Sequence, residues 1–152
     1  MDEKRCAKLL GLGQNRMNLW LGKIHAADAS ANCRAADARQ FHGVFELLHG
    51  EIVQSGNDAA IALAEVSAGS EEAFVERMNR EAARLGMKST RFVNSTGLPA
   101  PQQVSTANDL GLIAAAIIRD FPEYYPLYSI KEYKYNNITQ SNRNRLLWSD
   151  PY

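Results

Sequence analysis

The stretch Leu47-Leu-His-Gly-Glu-Ile-Val-Gln-Ser55-Gly-Asn57-Asp-Ala-Ala-Ile-Ala-Leu-Ala-Glu65 decides how this chain folds. It reads as an apolar-periodic helix, a Ser-Gly-Asn break and a second apolar helix. A serine hydroxyl and an amide side chain two residues on are thereby presented from one tight interhelical turn. Alone, a Ser-x-Asn triplet arises by chance about once every few hundred residues. A second one, Ser30-Ala31-Asn32, lies in an unpatterned part of the chain. The bland reading of the first is a helix-ending serine followed by an N-capping asparagine. On the residues alone that bland reading wins; what lifts the first triplet over the second is its setting between two strongly apolar helices.

The pattern is orderly downstream of this stretch and disorderly upstream. Val44, Phe45, Leu48 and Ile52 fall at helical spacing, and Gly56 is expected to end that helix. Asn57 or Asp58 can cap the next one, where residues 59–66 are apolar on nearly every face, as in a buried helix. Ser70 caps a third helix with Glu71 and Glu72 in its first turn and Phe74, Val75, Met78, Ala82 and Leu85 on its apolar face. Gly86 stands where a C-terminal glycine cap belongs. Residues 87–103 are loop-rich, and Thr106-Ala-Asn-Asp109 opens a further helix to Ile118 or Arg119. Pro122 suits the first turn of a short helix that Pro126 would keep short. Tyr133 and Tyr135 alternate with polar residues, Asn136-Asn137 makes a hairpin turn, and Ile138-Thr139-Gln140 returns. Residues 1–43 carry an alanine-rich tract with too few large apolar residues to pack a stripe. They are expected to be poorly ordered or to represent an out-of-frame start.

With 152 residues the chain can bury one real core. Its formal net charge of zero leaves no electrostatic footprint for nucleic acid or an anionic membrane. The apolar run 110–118 is too short to span a bilayer, and no secretory h-region follows the charged start. Cys6 and Cys33 lack metal-ligand spacing and read as free thiols. His25, His42 and His49 have no partner at metal-binding spacing, and no Gly-x-Ser-x-Gly elbow is present. Neither metal nor cofactor is expected. His49 reads as a partly exposed structural residue, Lys88-Ser-Thr90 as a surface loop, and Glu71, Glu72 and Glu76 as a solvated face. Arg143 and Arg145 flank Asn144; arginine's planar fork suits a carboxylate, and a solvent-exposed strand edge is the equal alternative.

Four segments carry a family resemblance. Besides residues 47–60, they are Ala68-Gly-Ser-Glu-Glu-Ala-Phe-Val-Glu-Arg-Met-Asn79, Leu85-Gly-Met-Lys-Ser-Thr-Arg-Phe92 and Asn142-Arg-Asn-Arg-Leu-Leu-Trp148. In order and spacing, residues 44–152 resemble the central part of the catalytic domain of a serine-type D-alanyl-D-alanine carboxypeptidase of the low-molecular-mass penicillin-binding protein type, truncated at both ends. The resemblance implies an α/β fold shared with serine β-lactamases, present here mostly as its helical lobe plus a short β-hairpin. It implies a hydrolase that trims the terminal D-Ala of peptidoglycan stem peptides through an acyl-enzyme and that β-lactam antibiotics acylate. The expected location is extracytoplasmic, although the chain shows neither signal peptide nor membrane anchor.

The family uses three motifs: Ser-x-x-Lys, Ser-x-Asn and Lys-Thr-Gly. By resemblance Ser55 is the second-motif proton relay, Asn57 binds the acyl side of the substrate, and Arg143 holds the peptide's terminal carboxylate. No role transfers to Thr96. Neither Ser-x-x-Lys nor Lys-Thr-Gly occurs in these residues, so the chain is expected to be inactive on its own. The alternatives are a non-catalytic module that binds peptidoglycan peptides through Asn57 and Arg143, and a relative of the serine β-lactamases.

Overall fold

The apolar periodicity from Val44 onward produces four helices of ordinary length. A computed structural model describes residues 43–149. The expectations for residues 1–42, including Cys6, Cys33, His25 and His42, lie outside the described residues. Helix α1 spans Val44–Gln54, α2 Asn57–Ala68, α3 Glu71–Arg84 and α4 Ala107–Asp120. A 3-10 helix, Tyr125–Ser129, leads into strands β1 (Glu132–Tyr135) and β2 (Ile138–Ser141), and α5 (Leu146–Ser149) closes the order.

Helix α2 is apolar on most sides because it is packed from both sides, against α1 and against α3. It contributes Ala59 and Leu63 to one cluster, with Leu47, Leu48 and Ile52 of α1. It contributes Ala64 to another, with Phe74, Met78, Ala82, Met87, Phe92, Ile113 and Ile117. Tyr128 packs against both clusters and joins them. Full burial of a side chain such as Phe74 or Ile113 contributes about 1.5–3 kcal/mol, so the second cluster is the main apolar anchor. Phe45 departs from the expected core stripe. It is 57% exposed and lies over Tyr124 with ring centroids 6.1 Å apart.

The helix ends follow the residues placed there. Ser70 accepts a hydrogen bond from the Ala73 amide, and Gly86 adopts φ 78° just past α3. Thr106 accepts from the Asp109 amide, but the Asp109 carboxylate does not complete a capping box. It reaches instead to the Ser89 amide (2.9 Å) and the Thr90 hydroxyl (2.7 Å), so Lys88-Ser-Thr90 is tied to α4 rather than a free surface loop. Pro126 lies within the first turn of the 3-10 helix and opens it, whereas the sequence suggested that it would close a helix begun at Pro122.

The long connection between α3 and α4 is closed by an isolated antiparallel bridge between Arg91 and Val104. Side chains supply most of its remaining hydrogen bonds. Asn79 of α3 holds both the amide (2.9 Å) and carbonyl (2.8 Å) of Phe92, and Gln103 accepts from the amides of Val93 and Asn94. Glu71 accepts from the amide (2.9 Å) and hydroxyl (2.7 Å) of the fully buried Ser95. Glu71 is therefore a structural acceptor rather than part of a solvated face.

Strands β1 and β2 pair antiparallel in register Glu132↔Ser141 to Tyr135↔Ile138. Asn136 and Asn137 turn between them at φ 48° and 62°, which gives the right-handed twist a two-residue hairpin needs. Tyr133 and Tyr135 share one half-buried face, and α1 packs against both strands.

Candidate active site

The turn between α1 and α2 is made by Ser55, not by the glycine that follows it. Ser55 sits at φ 55°, ψ 45°, and its amide reaches back to the Glu51 carbonyl at 2.8 Å. A residue with a β-carbon pays about 1–2 kcal/mol for this left-handed conformation. Gly56 has an ordinary φ of −71° and is the N-cap of α2. Its need for glycine is steric. A β-carbon there would meet the Asp58 carboxylate at 3.1 Å and the Gly50 carbonyl oxygen at 3.3 Å.

Asn57 is the first residue of α2, and no side chain caps this helix. The expected N-capping role is thus absent. Ser55 and Asn57 are both exposed. Among the described residues, neither the Ser55 hydroxyl nor the Asn57 carboxamide has a hydrogen-bond partner. The turn therefore presents a donor–acceptor hydroxyl and a carboxamide, both uncommitted, at the positive end of a helix dipole.

The structure brings Arg143 to this turn. Its amide donates to the carbonyl of Val53, two residues before Ser55, at 3.1 Å. Gln54, at the end of α1, donates its carboxamide N–H to the Ser141 carbonyl at 2.7 Å. Asn142, only 6% exposed, donates its amide to Lys131 (2.7 Å) and its side chain to the Ile130 carbonyl (2.8 Å). Its side-chain oxygen accepts from the Asn144 amide at 2.8 Å. Arg143 is exposed in the turn after β2, and its guanidinium has no hydrogen bond or ion pair among the described residues. Sequence reasoning passed over Gln54, because its partner is 87 residues away, and treated Asn142 only as context for the arginine.

His49 lies one turn inside α1. Its Nδ1–H donates to the Phe45 carbonyl at 2.6 Å, and its ring stacks on Tyr133 with centroids 5.1 Å apart. Burial, reinforced by Glu46 and Tyr135, pushes the Tyr133 phenol up. These groups brace the hairpin against α1. Among the described residues, no cluster of three or more His, Cys, Asp or Glu could hold a metal, and no helix is long and apolar enough to cross a membrane.

A family model for D-alanyl-D-alanine carboxypeptidase matches residues 24–152. The chain belongs to that family. The D-alanyl-D-alanine carboxypeptidase DacC of Escherichia coli is 52% identical over 106 residues, which are 70% of this chain and 26% of that protein. Penicillin binding protein 5 from Haemophilus influenzae superposes with a TM-score of 0.76 at 36% identity, over 91% of this chain and 46% of its own. Penicillin-binding protein D2 from Listeria monocytogenes, solved in a cefotaxime-bound form, gives 0.69 at 26% identity, over 91% and 64%. This carboxypeptidase-family chain thus spans 26% of the curated E. coli relative and 46% of the H. influenzae structure. Its helices and two-stranded hairpin are the helix-rich part of the penicillin-binding-protein α/β fold.

Proposed function

We propose that residues 44–152 are the central part of a serine-type D-Ala-D-Ala carboxypeptidase domain, supplying its proton relay and substrate grips. The observation that carries this reading is the pair of uncommitted polar groups on the Ser55 turn, with the backbone of Arg143 hydrogen-bonded beside them. A hydroxyl both accepts and donates, so Ser55 can pass a proton toward the leaving D-Ala amine. The Asn57 carboxamide can hold a peptide group on the acyl side. The Arg143 guanidinium can pair with the terminal carboxylate through two parallel hydrogen bonds.

The acylating serine of the family lies in Ser-x-x-Lys, which these residues do not contain. The roles proposed for residues 44–152 are therefore proton relay and substrate grip rather than acylation. The substrate class is a peptidoglycan stem peptide ending in D-Ala-D-Ala, and β-lactams are the matching inhibitors of the complete site. That substrate implies an extracytoplasmic location. Residues 93–104 carry no acidic side chain that could activate a deacylating water, which favours a carboxypeptidase over a serine β-lactamase.

Calorimetric titration with an N-acetylated peptide ending in D-Ala-D-Ala tests the grip, and intact mass after incubation with penicillin tests the chemistry. Binding that weakens about tenfold in Asn57→Ala and in Arg143→Gln, with no covalent adduct, is the expected outcome. A stable penicilloyl adduct on Ser55 would make it a nucleophile and overturn the assignment.

A further inference from the structure

The Arg143 guanidinium is exposed and has no partner among the described residues, yet the backbone that carries it is pinned at every step. Ser141 is held by the Gln54 side chain at 2.7 Å, and Arg143 by the Val53 carbonyl at 3.1 Å. Asn142 is held by Lys131 and Ile130, and Asn144 by the Asn142 side chain. A surface turn with no task beyond connection needs no such bracing, because loop backbone is ordinarily satisfied by water. Two of these ties come from the last two residues of α1, immediately before Ser55. The side-chain tie, from Gln54, fixes the root of Arg143 to the turn that presents Ser55 and Asn57. Asn142 is nearly buried, and both ends of its carboxamide are used to hold the same segment.

We infer that Gln54 and Asn142 are positioning residues that set the spacing between Arg143 and the Ser55–Asn57 pair. They thereby give the site its preference for a peptide ending in a free carboxylate. This rests on the proposed role of Arg143. A long guanidinium side chain on a loose turn would meet a carboxylate at many distances. On a braced turn it meets one placed a fixed distance from the groups that hold the rest of the peptide, and preorganisation of this kind strengthens binding by reducing what must be ordered on contact. Neither residue touches the peptide; each acts through Arg143.

The test compares one N-acetylated D-Ala-D-Ala peptide as free acid and as C-terminal amide, titrated against the whole chain. The ratio of the two affinities on a single protein cancels any loss of folded fraction. The wild type is expected to favour the acid about tenfold. Gln54→Leu keeps the side-chain size and removes the donor, and should bring the ratio close to one while leaving the amide's affinity unchanged. Gln54→Lys restores a donor to the Ser141 carbonyl and should recover the preference. Asn142→Ala provides a second variant and should lower the ratio in the same way. If Arg143→Gln abolishes the preference while Gln54→Leu and Asn142→Ala retain it, the positioning role is overturned and the role of Arg143 stands. If the wild type shows no preference, or Arg143→Gln keeps it, the reading of Arg143 fails and the inference fails with it.

Discussion

Ser55 holds a conformation that glycine would hold more cheaply, and glycine stands beside it in the sequence. The left-handed backbone falls on the residue with the hydroxyl, whereas Gly56 has an ordinary φ and is glycine because a β-carbon there would crowd the Gly50 carbonyl oxygen and the Asp58 carboxylate. Strain kept at a residue that could shed it is a mark of a site where the side chain is needed. Ser55→Gly should therefore raise the free energy of unfolding by about 1 kcal/mol, while Ser55→Ala should leave it nearly unchanged. Urea denaturation of the two variants measures both, and a stabilisation equal in the two would contradict the strain argument. At this scale the sequence singled out Ser55, Gly56 and Asn57 but not how they sit. Ser-Gly-Asn reads equally well as a helix stop and an N-cap. Only the structure reveals that Gly56 is the cap and that the Asn57 side chain does not cap the helix. Gln54 gave no local signal at all, because its meaning depends on the Ser141 carbonyl across the fold.

Elements whose residues follow one period were legible, since a stripe of apolar side chains can be satisfied in one way only. Helices α1 to α4 and the Asn136–Asn137 hairpin are of this kind. The α3–α4 connection was not, because it is built from polar side chains that close on partners far along the chain. Glu71 illustrates the difference. Placed in the first turn of a helix it reads as a dipole partner, and in the fold it holds the buried Ser95 by amide and hydroxyl. Glu71→Ala removes that shared acceptor and should cost about 2 kcal/mol. Hydrogen exchange should show amides of residues 93–98 released while those of α1 and α2 stay protected. Uniform loss of protection across all four helices would mean that Glu71 supports the core as a whole and not this loop.

Across the whole molecule, two apolar clusters joined through α2 and Tyr128 make one support, and the Ser55 turn and the Arg143 turn are fastened to the same end of α1. The described fold is the helix-rich part of a carboxypeptidase domain, and Ser55, Asn57 and Arg143, to which the family resemblance gives the proton-relay and substrate roles, are among the polar side chains that have no partner among the described residues. The family was legible from four sequence blocks. The braced relation between positions 55 and 143 was not, because it exists only once α1 and the hairpin have packed. The most direct test of the account is a nitrogen–proton NMR titration of the labelled chain with an N-acetylated peptide ending in D-Ala-D-Ala. The account predicts shifts in the side-chain amide of Asn57, the guanidinium Nε–H of Arg143 and the backbone amides of residues 55–57 and 141–144, with the α4 signals unmoved. Saturating peptide that leaves Asn57 and Arg143 unshifted, or that moves another surface instead, would contradict it.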